Sequence, residues 1–195
     1  MTGFFAFALY HLIDPFITVW LGTEYVLPRS VLIIILANFF VSQYRGTIDQ
    51  FINGYGLFHD TWAPVTTLAI TVIVALIGGS LWGLSGVLLG DIASSLTIIC
   101  VWKAYFLYKE GFRMPVFLYW KNVGKYTALF LLSWAGADGI LRLFPLFDPF
   151  GGYVAWTLYA IYSSTIFLAI FIPLFYLFSD GIRHLLRRIQ SRISS

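Results

Sequence analysis

The feature that most constrains this chain is a series of six apolar runs, each long enough to cross a lipid bilayer as a helix. The runs cover about residues 3–21, 28–53, 64–82, 86–108, 122–146 and 153–178. A transmembrane helix needs roughly 20 mostly apolar residues, whereas a transmembrane β-strand needs about 10 residues of alternating polarity. Because these runs are long and do not alternate, we predict an all-α bundle of six transmembrane helices. This membrane domain spans residues 1–178, and a basic cytoplasmic tail follows at 179–195.

The composition excludes a soluble protein and argues against binding to nucleic acid. Hydrophobic residues make up 59% of the chain and charged residues 11%, so a soluble fold could not bury the apolar surface. The net charge of +3 is small for a nucleic-acid partner, and membrane lipids are the predicted surroundings. The single cysteine, Cys100, excludes an intrachain disulfide. His11, His59 and His184 lie far apart in the predicted topology, so no metal site and no cofactor are predicted.

The lysines and arginines predict the orientation of the helices. One group lies between the fourth and fifth spans and the other in the tail. The first group is Lys103, Lys109, Arg113, Lys121 and Lys125, and the second is Arg183, Arg187, Arg188 and Arg192. Basic loops stay on the cytoplasmic side of a membrane, and two spans separate these groups, as a shared side requires. We therefore predict a multi-pass protein with both termini in the cytoplasm.

The second span carries a row of polar residues along one side. Asn38, Ser42, Arg45, Asp49 and Asn53 follow one another at spacings of four, three, four and four. On an α-helix these spacings place all five within a sector of roughly 80°. We call these five residues the polar face. Because polar groups are costly in lipid and usually face a bundle interior or a wet cavity, we predict that the polar face lines a substrate-binding cavity open to the cytoplasm.

Two structural explanations compete with this prediction. Arg45 and Asp49 form an i, i+4 pair near the end of the apolar run, and they could neutralise each other while extending to the membrane surface. Asn38 lies deeper in the run, where a hydrogen bond to a neighbouring helix is the main alternative. The sequence leaves the functional and the structural explanations open.

Acidic residues inside two other spans are further candidates. Asp14 and Pro15 interrupt the first span, and a proline there removes a backbone hydrogen bond and favours a kink. An acid beside a kink is typical of a hinge or an ion site, which is the role predicted for this pair. Asp138 lies four residues before Arg142, and we expect the two to form an ion pair.

An enzymatic function finds little support in the sequence. The letters "GLSG" at residues 83–86 match the Gly-x-Ser-Gly pattern of rhomboid-type intramembrane proteases. A nucleophilic serine needs a base within hydrogen-bond reach, and no histidine lies in a later span. Glycines in a tight turn between two antiparallel helices explain the same letters. We therefore predict no catalytic residues and no enzyme.

Four stretches of the chain resemble a family of lipid transporters. They are "DPFITVWLGTEYVLP", "RGTIDQFINGYGLFHDTWAPV", "WGLSGVLLGDIASSL" and "VWKAYFLYKEGF". In this order and spacing they look like the C-terminal portion of polysaccharide (Wzx-type) flippases, of the multidrug/oligosaccharidyl-lipid/polysaccharide exporter superfamily. The resemblance covers about residues 4–113, and the last two spans match only in kind.

The resemblance implies transport of an undecaprenyl-pyrophosphate-linked oligosaccharide across the bacterial cytoplasmic membrane, for surface polysaccharide synthesis. Such exporters have roughly twelve to fourteen spans in two lobes and work by alternating access. The chain would supply only the last six spans, so its expected partner is a missing N-terminal lobe or a second chain. Without one, we expect no transport. The alternative is a small accessory or structural membrane protein that binds lipid or partner helices.

One departure from the family concerns the binding of phosphate. Relatives typically carry basic residues just after the "GLF" element, and here the following "HDTWAP" contains only His59. If those cations hold the lipid phosphate in the relatives, this chain must use others. Arg45 and the lysine-rich link at 103–125 are the remaining candidates.

The predicted topology can be tested by labelling single cysteines in a chain whose Cys100 is replaced by alanine. A cysteine placed in the 109–121 link should react with a membrane-impermeant reagent only after the cytoplasmic side is opened. The reason is the cluster of cations that keeps this link in the cytoplasm. Labelling of the link from outside intact cells would overturn the topology.

Overall fold

The computed structural model describes residues 2–57 and 61–179, and it is helical almost throughout these ranges. Six long helices run through them: α1 Thr2–Trp20, α2 Arg29–Gly54, α3 Trp62–Trp82, α4 Leu84–Phe112, α5 Phe117–Leu143 and α6 Tyr153–Phe178. A short 3-10 turn at Thr23–Tyr25 joins α1 to α2. No strand occurs in the described ranges. The prediction of an all-α fold is confirmed.

Five of the six helices are long and apolar enough to cross a membrane, namely α1 to α4 and α6. Helix α5 has 27 residues, but Lys121, Lys125, Asp138 and Arg142 make it more polar than the others. It begins at Phe117, five residues before the predicted span at 122–146, and it ends at Leu143. His59 and the predicted basic tail from residue 180 onward lie outside the described residues.

Helix α2 lies at the centre of the arrangement. On one side it packs against α1, which in turn packs against α6, and α6 packs against α5. On its other side α2 packs against α4, and α3 packs chiefly against α4. Helix α2 therefore joins the α3–α4 hairpin to the group formed by α1, α5 and α6.

Aromatic side chains form the apolar core between α1, α2, α5 and α6. Phe7 and Phe167 are fully buried and stack with their ring centroids 4.4 Å apart. Phe40 of α2 stacks on Phe130 of α5 at 5.2 Å. A second buried cluster joins α2, α4 and the start of α5; its members are Ile48, Ile52, Ala104, Leu107 and Tyr119. The end of α2 is therefore in contact with both α4 and the beginning of α5.

Glycines allow the backbones of α3 and α4 to approach closely. Gly83, with a φ of +59°, forms the turn between the two helices. A Cβ atom on Gly78 would lie 2.7 Å from the carbonyl oxygen of Gly86, and one on Gly86 would overlap the carbonyl oxygen of Gly78. Such small-residue contacts are typical of helix pairs in membranes. Gly83 and Gly86 of the "GLSG" stretch thus have structural roles, in the turn and in the contact between the helices.

We expect Gly86→Ala to destabilise the protein, because the added methyl group must push the backbone of α3 away from that of α4. Overpacking of this kind costs about 1–3 kcal/mol. Gly124→Ala is the matched control, since Gly124 lies in α5 with nothing within 4 Å of an added Cβ atom. Thermal unfolding in detergent should show a lower Tm for Gly86→Ala and no decrease for Gly124→Ala. Equal stability of the two variants would contradict the close contact.

Candidate functional site

The polar face of α2 contacts α4 through Asn38. The side-chain Nδ2 of Asn38 donates a hydrogen bond to the carbonyl oxygen of Leu88, at 3.1 Å. Its other side-chain atom, Oδ1, is buried and has no hydrogen-bond partner among the described residues. The hydrogen bond is the helix–helix contact that the sequence left open as an alternative. Asn38 therefore holds the middle of α2 against α4.

One turn from the end of the polar face, Asp49 lies beside two cations. Its Oδ1 accepts a hydrogen bond from Nζ of Lys103 in α4, at 2.5 Å. Its Oδ2 lies 3.6 Å from Nε of Arg45, one turn earlier on α2. The side chain of Lys103 is 17% exposed and that of Arg45 is 49% exposed. One carboxylate thus serves two cations, and the group of three has an excess of one positive charge.

Lys103 comes to this site from an unusual part of α4. Ser95–Lys103 and Leu107–Phe112 are π-helical, with the short α-helical stretch Ala104–Phe106 between them. A π-helix has more residues per turn than an α-helix, so it changes which residues face a neighbour, and such segments often occur at functional sites. Ala104 and Leu107 are buried against α2 on the same stretch of α4. This packing brings Lys103 to Asp49.

The sequence analysis does not place Lys103 beside the polar face. It counts Lys103 among the cations that set the orientation of the chain and within the 103–125 link that is a candidate for phosphate binding. The available signal was its position inside the predicted fourth span, at 86–108, where a lysine needs a partner or a route to water. Since Asp49 lies on another helix, its identity as that partner required the structure.

The other two members of the polar face, Ser42 and Asn53, are exposed. The hydroxyl of Ser42 donates to the carbonyl oxygen of Phe39 in its own helix, at 2.8 Å. Asn53 lies near the end of α2. The structure therefore brings Asn38 and Asp49 to α4, places Arg45 beside Asp49, and leaves Ser42 and Asn53 at the surface.

Two cavities lie on other sides of α2. One, of about 370 Å³, is lined by residues of α1, α2, α5 and α6, including Tyr44 and Tyr126. The other, of about 350 Å³, shares Phe40 and Phe130 with the first and is lined almost entirely by apolar groups. Within the described part of the chain, no residue of the polar face lines either cavity. The cavity role of the polar face stays a prediction.

Of the two candidate residues in α1, Asp14 and Pro15, Asp14 forms an ion pair with a residue of α2. Oδ2 of Asp14 lies 3.3 Å from Nη1 of Arg29, at the start of α2. Pro15 is buried, and α1 continues past it to Trp20. The hinge or ion role of Asp14 and Pro15 stays a prediction. The ion pair expected between Asp138 and Arg142 is confirmed, at 2.8 Å.

Comparisons with known proteins do not identify a family for this chain. No protein-family model matches it, and neither a curated protein nor a solved structure does. Among residues 2–57 and 61–179 there is also no group of three or more His, Cys, Asp or Glu side chains that could hold a metal ion. The apolar helices define a polytopic helical membrane protein. A more specific function must be argued from the charged site on α2 and α4.

The pair Asp49–Lys103 should contribute more to stability than the pair Asp49–Arg45, because it is shorter and less exposed. We expect a double-mutant cycle with alanine to give a coupling energy above about 1 kcal/mol for Asp49–Lys103. For Asp49–Arg45 we expect about 0.2–1 kcal/mol, as for exposed ion pairs. Asp49 with Arg142, near the far end of α5, is the control and should be additive. Unfolding in detergent measures all three, and a reversed order would contradict the geometry.

Proposed function

We propose that the chain takes part in moving an undecaprenyl-pyrophosphate-linked oligosaccharide from the inner to the outer leaflet of a bacterial cytoplasmic membrane, for surface polysaccharide synthesis. The observation that carries the proposal is the sharing of Asp49 between Lys103 and Arg45. The two cations and one carboxylate together carry one excess positive charge, and the guanidinium of Arg45 is half exposed. The four sequence blocks that resemble flippases support the same function.

The chemistry of Arg45 suits a pyrophosphate group. A guanidinium stays charged and can hold two phosphate oxygens through parallel hydrogen bonds, which a lysine cannot reproduce. The distance of 3.6 Å between Arg45 Nε and Asp49 Oδ2 is longer than a hydrogen bond, so the guanidinium is available to another anion. Asp49 reduces the net charge of the site, which favours release of the lipid after transport.

Lys103 has a different role in the proposal. It is mostly buried and holds Asp49 at hydrogen-bond distance, so it neutralises the carboxylate and fixes α2 against α4. Arg45 is thereby left as the cation that contacts the ligand. The site lies toward the end of α2 that the lysine and arginine pattern predicts to be cytoplasmic. A site at that end would load its lipid from the inner leaflet, where the lipid-linked sugar is made.

A second candidate function is that of an accessory or structural membrane protein without transport. The observation in its favour is that two members of the polar face, Asn38 and Asp49, find partners within the chain. Hydrogen bonds and ion pairs of this kind hold helices together in many membrane proteins. Under this hypothesis the cations serve packing alone, and the site should have no preference for a phosphorylated lipid.

Binding of lipid to the full chain in nanodiscs distinguishes the two functions. The probe is undecaprenyl pyrophosphate, and undecaprenol, which has the same tail without phosphate, is the reference ligand. We expect Arg45→Ala to weaken pyrophosphate binding by about 10- to 150-fold, because hydrogen bonds to a charged group contribute about 1.5–3 kcal/mol. Arg45→Lys should lie between Arg45→Ala and the unchanged protein, because lysine keeps the charge and loses the paired geometry.

Arg142→Ala is the matched control. It removes the same guanidinium from a residue near the far end of α5 whose side chain is 77% exposed. Equal affinity for the two ligands, or no effect of Arg45→Ala, would rule out the phosphate site and favour the accessory function. In a strain without its own flippase, the chain supplied with a first lobe should restore surface polysaccharide. Arg45→Ala should abolish that restoration.

A further inference from the structure

A histidine in the middle of α1 has one side-chain nitrogen without a partner. The side chain of His11 is only 10% exposed, and its Nε2 has no hydrogen-bond partner among the described residues. Oδ1 of Asp138 in α5 lies 3.7 Å from this nitrogen, which is too long for a hydrogen bond. A buried polar atom without a partner is unfavourable, so this nitrogen calls for an explanation.

The rest of the His11 ring is fixed by its surroundings. Its Nδ1 lies 3.4 Å from the hydroxyl of Tyr159 in α6. The ring also packs against Phe7 at 4.5 Å and Tyr10 at 5.1 Å, measured between ring centroids. The ring atom that lacks a hydrogen-bond partner is therefore Nε2, and this atom faces Asp138.

Charged groups from three helices surround this pair. Oδ2 of Asp138 forms an ion pair with Nη2 of Arg142 at 2.8 Å, and the other carboxylate oxygen, Oδ1, faces His11. Arg29 of α2 lies over the ring of Tyr10, 4.3 Å from its centroid. The titratable and charged groups around His11 are Tyr10 and Asp14 in α1, Arg29 in α2, Asp138 and Arg142 in α5, and Tyr159 and Tyr162 in α6. Since the side chain of Arg142 is 77% exposed, the group extends to the surface.

We propose that His11 is a proton-binding site whose protonation closes a contact between α1 and α5. In the neutral ring Nδ1–H donates to the hydroxyl oxygen of Tyr159, and the lone pair of Nε2 faces the Asp138 carboxylate, which keeps the two apart. When Nε2 takes one proton from water, it becomes an N–H donor to Oδ1 of Asp138, while Arg142 keeps Oδ2. A repulsive approach becomes a charge-assisted hydrogen bond. The site is independent of the transport function proposed above.

Nitrogen NMR of the full chain in nanodiscs tests the proposal. With His59→Gln and His184→Gln in place, the imidazole signals of a ¹⁵N-histidine-labelled sample come from His11 alone. On acidification from pH 8 to pH 2.5 we expect the signals to change to those of an imidazolium. Asp138→Asn should move the midpoint to lower pH, by at least a tenfold change in proton concentration, because it removes the anion that stabilises the charged ring.

Two further variants keep the test decisive. Asp14→Asn makes the same carboxyl-to-amide change one turn away, on a residue paired with Arg29, and should shift the midpoint less than Asp138→Asn. Arg142→Ala removes the competing cation and should move the midpoint to higher pH; its exposed position makes it a safe variant if Asp138→Asn fails to fold. A His11 ring that stays neutral to pH 2.5, or a midpoint insensitive to both α5 variants, would overturn the proposal.

Discussion

The absence of water in the hydrocarbon core is the constraint on which the rest of this structure depends. Helices satisfy their own backbone groups, but each polar side chain inside the bundle must find a partner on the protein. Three of the acids and amides in the described helices do so across a helix boundary. The pairs are Asn38 with the carbonyl of Leu88, Asp49 with Lys103, and Asp14 with Arg29. Polar groups thus determine which helices are neighbours, while aromatic packing fills the space between them.

The distribution of these contacts makes α2 and α4 the critical junction. Helix α3 is attached chiefly to α4, through close glycine contacts and a hydrogen bond from Thr71 to Ser94 at 2.7 Å. The hairpin of α3 and α4 is therefore joined to the remaining helices through the contacts of α4 with α2. Asn38 and the Asp49–Lys103 pair lie at this junction. The buried cluster that contains Ile48 and Ala104 lies at the same junction. The candidate site is consequently also a structural joint between two parts of the bundle.

The sequence predicts the helices well and the contacts between them poorly. Long apolar runs bounded by turn residues determine the number and approximate position of the helices, five of which are long and apolar enough to cross a bilayer. Helix α5 begins before the predicted span at 122–146, and its first residues, from Phe117 to Lys121, mix aromatic and charged side chains. The spacing of Asn38, Arg45 and Asp49 correctly predicted a shared face, as a helix has a fixed period.

The partner of that face could not be predicted, because it depends on packing between distant segments. Lys103 reaches Asp49 from a π-helical stretch whose register no α-helical period describes. His11 and Asp138 meet only because α1 and α5 both pack against α6. A single sequence contains no direct signal of such pairings. The sequence does show that Lys103 lies inside an apolar run. Because an unpaired charge is costly there, Lys103 can be recognised as a residue that requires a partner.

The unequal positions of the two cations bear directly on how the site could work. Lys103 is mostly buried and hydrogen-bonded to Asp49, whereas Arg45 is half exposed and beyond hydrogen-bond distance. An incoming phosphate would therefore compete with Asp49 for Arg45 and leave the Lys103–Asp49 pair intact. If a single cation served both purposes, binding of the ligand would break the contact between α2 and α4. Under the proposed function, two cations would let the junction persist while the ligand is bound, and Asp49 would be in place to recapture Arg45 when the ligand leaves.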